Sequence, residues 1–144
     1  MAKVFYDKPI IEQIFEELGK DEDKYDKEKL LNLVKRLPSE DVNIQNNNGD
    51  TVIILASAYG YTEIVKLLLG KEGINVNVQN RYGNTALIRA SYNVYTEIVK
   101  LLLEKDGIDV NIYNGIGNTA PIYASGYGHI EIVKLLENYQ KIDL

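Results

Sequence analysis

The sequence predicts an all-α solenoid of stacked helix-turn-helix units whose connecting turns project as hairpin tips, and three observations carry the prediction. The nine residues YTEIVKLLL stand at Tyr61–Leu69 and again at Tyr95–Leu103. Asn43, Asn77 and Asn111 lie 34 residues apart, and the same step links Gly49, Gly83 and Gly117, then Thr51, Thr85 and Thr119, then Glu63, Glu97 and Glu131. Each copy opens on a cluster of Asn and Gly. Identity at a fixed period marks a repeat array. One such unit cannot bury both sides of its apolar stripe, so it must stand between neighbours that cover it.

Taken in chain order, a first helix is expected over about Pro9 to Leu18, with Asp7 as its cap, followed by the charged linker GKDEDKYD. A second, over Lys27 to Leu37, is in step with the array, because Leu30, Leu31, Leu33 and Val34 precede Ile64, Val65, Leu67 and Leu68 by 34. Residues 1–40 therefore read as a divergent amino-terminal capping helix pair, and residues 41–144 as three units, 41–74, 75–108 and 109–144, the last carrying the carboxy-terminal cap.

Within each unit NNNGDT, NRYGNT or NGIGNT forms the tip, since Asn and Gly tolerate positive φ. The threonine that follows has a hydroxyl able to accept from a free amide in the first helical turn. Inner helices are expected over about Val52 to Tyr59, Ala86 to Asn93 and Ala120 to Tyr127, each with an Ala-Ser pair small enough for close helix approach. The outer helix has Ile64, Val65, Leu67 and Leu68 at helical spacing. Glu63 and Lys66, three apart, are expected to pair on its wet side for about 0.2–0.5 kcal/mol. In the last unit Glu137 stands where the others have Leu69 and Leu103, and ENYQK follows, a polarity suited to an end that meets water.

These residues resemble the ankyrin repeat. The resemblance rests on the G-x-T turn, the inner-helix alanine, the Gly128-His129 junction, E-I-V-K-L-L in the outer helix, and Asp109-Val110-Asn111. It covers the chain from about residue 41, with half a unit before. The departures are specific. Isoleucine (Ile54, Ile88, Ile122) replaces the family's histidine in every copy, turning a hydrogen-bonding layer apolar. Pro121 falls in the first turn of its helix, where a missing amide costs little. Each unit is one residue longer than usual, near GKEG and EKDG, in a surface loop. Val94 replaces the glycine seen at Gly60 and Gly128. A β-branched residue disfavours the left-handed conformation, so Asn93 is expected to adopt it instead, or the turn to distort.

Composition excludes several functions. A formal net charge of −5 opposes sequence-independent attraction to phosphate backbones or anionic lipid. Apolar runs such as Ile64–Leu69 fall far short of the roughly 20 residues a membrane span requires. The charged start does not resemble a secretory signal, so a cytoplasmic location is expected. With no cysteine and a single histidine, thiol chemistry and two-histidine metal sites are absent. His129 sits at the family's junction position and reads as structural. Gly115–Ala120, GIGNTA, satisfies the dinucleotide pattern G-x-G-x-x-A, but no apolar strand precedes it and its register makes it a tip. Asp21, Glu22, Asp23 and Asp26 lack the glycine and glutamate of a calcium loop and read as a solvated linker. No enzymatic activity, cofactor or metal is expected.

What remains is a surface. The resemblance implies partner binding by the tips and the exposed side of the inner helices, which by position gives Asn47, Asn48 and Asp50, then Arg81, Tyr82 and Asn84, then Gly115, Ile116 and Asn118. The helix positions are Ala58 and Tyr59, Tyr92 and Asn93, Gly126 and Tyr127, with Arg89 and Tyr123 bordering the same groove. Tyrosine and arginine are enriched at interface hot spots. The expected partner is an unidentified protein, bound by a monomer. Eleven tyrosines without tryptophan also fit plain compositional bias, under which the chain is a scaffold or spacer with no groove ligand. A third reading, stacking of single-stranded nucleic acid on the tyrosines, is opposed by the acidic excess. The family also implies hydroxylation as a fate for Asn43, Asn77 and Asn111, but their residue-level reading is as tethers between neighbouring hairpin backbones.

Overall fold

The computed structural model describes residues 8–142. Its helices are α1 (Ile10–Leu18), α2 (Lys27–Arg36), α3 (Val52–Tyr59), α4 (Thr62–Leu69), α5 (Ala86–Tyr92), α6 (Thr96–Leu103), α7 (Ala120–Gly126) and α8 (Ile130–Ile142), with one 3₁₀ turn at Ser39–Asp41. Two layers result. Helices α1, α3, α5 and α7 follow one another in the inner layer, and α2, α4, α6 and α8 in the outer. The buried residues form a continuous apolar seam from Ile11 to Leu136 rather than a cluster about one centre, as stacking requires.

Each inner helix begins where its threonine accepts an amide: Ile54 N–H donates to Thr51 Oγ1 at 3.3 Å, Ile88 to Thr85 at 3.2 Å and Ile122 to Thr119 at 3.3 Å. Such a cap is worth about 1 kcal/mol. Pro121 lies in the first turn of α7, as expected. α5 and α7 end one residue earlier than expected, at Tyr92 and Gly126. The Asp7 cap lies outside the described residues; Pro9 occupies the N-cap position of α1.

The units are tied by bonds that repeat at the sequence period. Asn43 Nδ2 donates to the Gly73 carbonyl at 2.8 Å while its Oδ1 accepts from Asn75 N–H at 2.8 Å. Asn77 makes the same clasp on Gly107 O and Asp109 N–H, at 2.7 and 2.9 Å. Asn111, the third, instead accepts from Gln140 Nε2 at 3.3 Å. Lys71 Nζ caps the carboxy-terminal end of α2, donating to the Lys35 and Leu37 carbonyls at 3.0 Å each. Lys105 does so to Leu69 of α4 at 3.2 Å. A cation there meets the negative end of the helix dipole.

Three expectations are corrected. Glu63 does not pair with Lys66 but reaches across to Lys27 at 3.7 Å, as Glu131 reaches to Lys100 at 3.6 Å; side chains on adjacent outer helices meet between units. The left-handed position in the second copy is held by Val94 itself, φ 65°, and Asn93 stays at φ −91°. The turn is clamped on both sides: Tyr95 N–H donates to Ala90 O at 2.9 Å, matching Tyr61 to Ala56 at 2.9 Å, and Asn93 Nδ2 donates to Arg89 O at 3.0 Å. Neighbouring bonds outweigh the local preference of valine. Finally, the apolar layer expected at Ile54, Ile88 and Ile122 does not run through to the last unit. Ile54 and Ile88 are 1% and 2% exposed under the next unit, whereas Ile122 at the same position is 47% exposed.

At the other end Glu17, 1% exposed, joins α1 to α2. Its carboxylate accepts the Asp26 N–H at 2.6 Å and lies 2.8 Å from Lys20 Nζ and 3.6 Å from Lys29 Nζ. Burial pushes this carboxyl up, but the Lys20 ammonium, the Asp26 amide and the Lys29 charge together outweigh it and hold it below the usual carboxylate range.

Candidate functional site

The tips are set by three asparagines that sequence reasoning did not single out, although Asn46, Asn80 and Asn114 recur at the 34-residue step. Each Oδ1 accepts two backbone amides of its own tip: Asn48 and Asp50 at 3.0 and 2.9 Å, Tyr82 and Asn84 at 2.9 and 3.0 Å, Ile116 and Asn118 at 3.2 and 2.9 Å. The tips then lock edge to edge. Arg81 N–H donates to the Asn48 carbonyl at 3.0 Å and Gly115 N–H to that of Tyr82 at 2.8 Å. Side chains follow the same line, with Asn80 Nδ2 donating to Asp50 at 2.9 Å and Asn114 Nδ2 to Asn84 at 3.0 Å.

The expected site residues therefore divide. Asp50, Asn84 and Asn93 each have a polar group engaged inside the stack, Asn93 also reaching the Ala58 carbonyl at 3.3 Å. Asn47, Asn48, Tyr59, Arg81, Tyr82, Tyr92, Ile116 and Tyr127 are exposed, Tyr82 at 64% and Ile116 at 78%. Arg89, Asn118 and Tyr123 are half-buried.

Two different grooves separate the inner helices α3, α5 and α7. Between α3 and α5 a cleft of about 190 Å³ is lined by Asp50, Leu55, Ala58, Tyr59, Tyr82, Asn84 and Arg89 among others. Between α5 and α7 aromatic rings fill the equivalent space. Tyr123, standing at the position of Leu55 and Arg89, has a hydroxyl that accepts from Asn114 Nδ2 at 2.9 Å. Its ring meets Tyr92 edge-on at 5.2 Å and stacks on Tyr127 at 6.1 Å, while Tyr92 meets Tyr127 edge-on at 5.5 Å. His129 stacks on Tyr127 at 5.9 Å. Edge-on and offset pairs of this kind contribute about 0.5–1.5 kcal/mol each beyond burial, so the rings hold one another in this arrangement. The neighbouring Tyr92 phenol pushes that of Tyr127 up, and Tyr127 remains a neutral hydrogen-bonding group at physiological pH.

A second cleft of about 210 Å³ opens where α2 meets α4, lined by Tyr25, Lys27, Gly60, Tyr61 and Glu63. Its groups are already matched to one another: Lys27 pairs with Glu63 and Tyr25 stacks on Tyr61 at 5.0 Å. Burial and the adjacent Tyr25 phenol push Tyr61 up to about 12. The cleft between α3 and α5 differs in holding Arg89, whose guanidinium lies 5.9 Å from the Tyr92 ring centre and within reach of no carboxylate among the described residues.

Among the described residues no helix is long and apolar enough to cross a membrane, and no group of His, Asp and Glu side chains is arranged to hold a metal ion. Among curated proteins none matches the chain as a relative. A family model described as Ankyrin repeats (3 copies) matches residues 25–114, and one described as Ankyrin repeats (many copies) matches residues 94–137. A match spanning more than half of the 144 residues, on a two-layer stack with clasped tips and a 34-residue step, makes the chain a member of the ankyrin repeat family.

Proposed function

We propose that this chain is a non-catalytic protein-binding module that grips a partner polypeptide with its hairpin tips and the open side of its inner helices. Ankyrin repeats in general are protein–protein interaction modules, and the family is generally non-catalytic. The observation that supports the reading here is the line of exposed aromatic side chains, Tyr59, Tyr82, Tyr92 and Tyr127, along the tips and inner helices. Tyr59, Tyr92 and Tyr127 already pack on neighbouring rings, so covering them with a partner costs little ordering entropy. Binding energy is assigned to these rings and to Arg81 and Arg89. Asp50, Asn84 and Asn93 act chiefly by holding the tips and turns. In the same reading residues 1–40 close the array at its amino-terminal end, and the module works as a cytoplasmic monomer.

The test replaces Tyr59, Arg81, Tyr92 and Tyr127 together by alanine. The melt is expected to fall, because the ring pairs of Tyr59, Tyr92 and Tyr127 are lost, and capture of a partner from cell extract by the immobilised chain is expected to be lost at a temperature where circular dichroism shows the variant still folded. Capture that survives in the folded variant favours a spacer with no groove ligand.

A further inference from the structure

We propose that the cleft between α3 and α5 seats one acidic side chain of the partner polypeptide on Arg89, between the rings of Tyr59 and Tyr82. This rests on the protein-binding reading and names the chemistry of what is bound. Charge complementarity carries it. Of the three arginines in the chain, Arg81 and Arg89 stand on the binding side, and neither has a carboxylate within ion-pair distance among the described residues. The ion pairs formed by described residues lie in the amino-terminal helix pair or between outer helices. A chain of net charge −5 thus keeps one basic side chain, Arg89, and one acidic, Asp50, in this cleft, with Arg81 exposed on the neighbouring tip.

Arg89 is half-buried and sits beside the Tyr92 ring, so part of its hydration is already gone. A partly desolvated guanidinium without a counter-charge gains more from a carboxylate than one in open water, and its planar fork donates to the two oxygens side by side. The space is open between α3 and α5, whereas Tyr123 fills the equivalent groove between α5 and α7. Asp50 restricts the choice further. One of its oxygens accepts from Asn80, and its negative charge in the lining of the cleft repels a second carboxylate and favours an N–H or hydroxyl. The fitting occupant is a segment with a single Asp or Glu, flanked by apolar residues that lie on the tyrosines. It is neither an acidic run nor a phosphate backbone.

A random dodecapeptide library displayed on phage, panned on the folded chain, supplies the probe. Selected peptides are synthesised and titrated by fluorescence anisotropy against the parent, Arg89→Gln and Tyr127→Ala. Peptides dependent on Tyr127 are expected to share one acidic position. Arg89→Gln is expected to weaken them at least tenfold, as is amidating the peptide's acid, and the two changes together should cost little more than either alone. The peptide-side change leaves the protein untouched, so a folding defect in the variant cannot mimic the result. Peptides that need Tyr127 yet tolerate both changes within twofold overturn the acidic seat while the groove reading stands. A library yielding no Tyr127-dependent peptide overturns both.

Discussion

Gly83 is turned so closely onto the next tip that a Cβ built on it lies 2.7 Å from the Gly115 backbone nitrogen, whereas Gly117, one step on, has no atom within 4 Å of its Cβ position. Both hold positive φ, 79° and 82°. Alanine at either position carries the left-handed cost of about 1–2 kcal/mol. At Gly83 it must also push apart the tips joined by the 2.8 Å bond from Gly115 N–H to Tyr82 O. Chemical denaturation is expected to place Gly83→Ala about 2 kcal/mol below Gly117→Ala, adding a lost stacking bond and displaced packing. Equal costs would mean that the tips part without penalty.

The asparagine clasps offer a second comparison inside one molecule. Asn77 bridges two backbone groups of the next unit, while Asn111 meets only Gln140. Asn77→Ala is expected to cost about 1–3 kcal/mol, because it leaves one carbonyl and one amide to find new partners. Asn111→Ala should cost well under half of that in the same urea melts.

Val94 is the only described residue other than glycine at positive φ. Glycine removes the Cβ strain there but adds freedom to the unfolded chain. The strain term, about 1–3 kcal/mol for a residue held in that region, is the larger. Val94→Gly is therefore expected to stabilise by about 1 kcal/mol and to melt higher. A lower melting temperature would show that the turn carries no strain.

The resemblance of one copy to the next made most of this structure readable from the chain itself. The period located every helix of the repeats and the tips, because the same packing problem recurs and is solved with the same letters. Val94 was misjudged for the converse reason: local preference speaks for one residue, and here the closing bond from Tyr95 to Ala90 and the Asn93 amide decide for it. The pairing of Glu63 with Lys27, and the filling of one groove but not the other by Tyr123, are facts of juxtaposition between units that spacing within a unit does not express. Asn46, Asn80 and Asn114 were visible as a recurring letter. Their role as the acceptor that shapes each tip required the direction of the side chain.

Acid provides a further test through Glu17. Its carboxyl titrates lower folded than unfolded, so its contribution is complete above the unfolded value, about 4.3, and is lost as the pH falls through the lower folded one. Stability measured by urea melts should drop across that acidic window. Glu17→Gln, which keeps the shape but not the charge, is expected to cost about 2 kcal/mol at neutral pH and to flatten the drop. An unaltered pH profile in the variant would remove Glu17 as its source.

The bonds that clasp one repeat to the next, from Asn43 and Gln45 through Asn114, join residues only 30 to 36 positions apart. Distance along the chain and distance in space therefore grow together, and no late event must bring the two ends into company before the middle can form. Order can begin at any step and travel outward like a closing zip. A duplicated copy spliced between two existing ones would lengthen the molecule by one rung while leaving every other rung with the neighbours it already has.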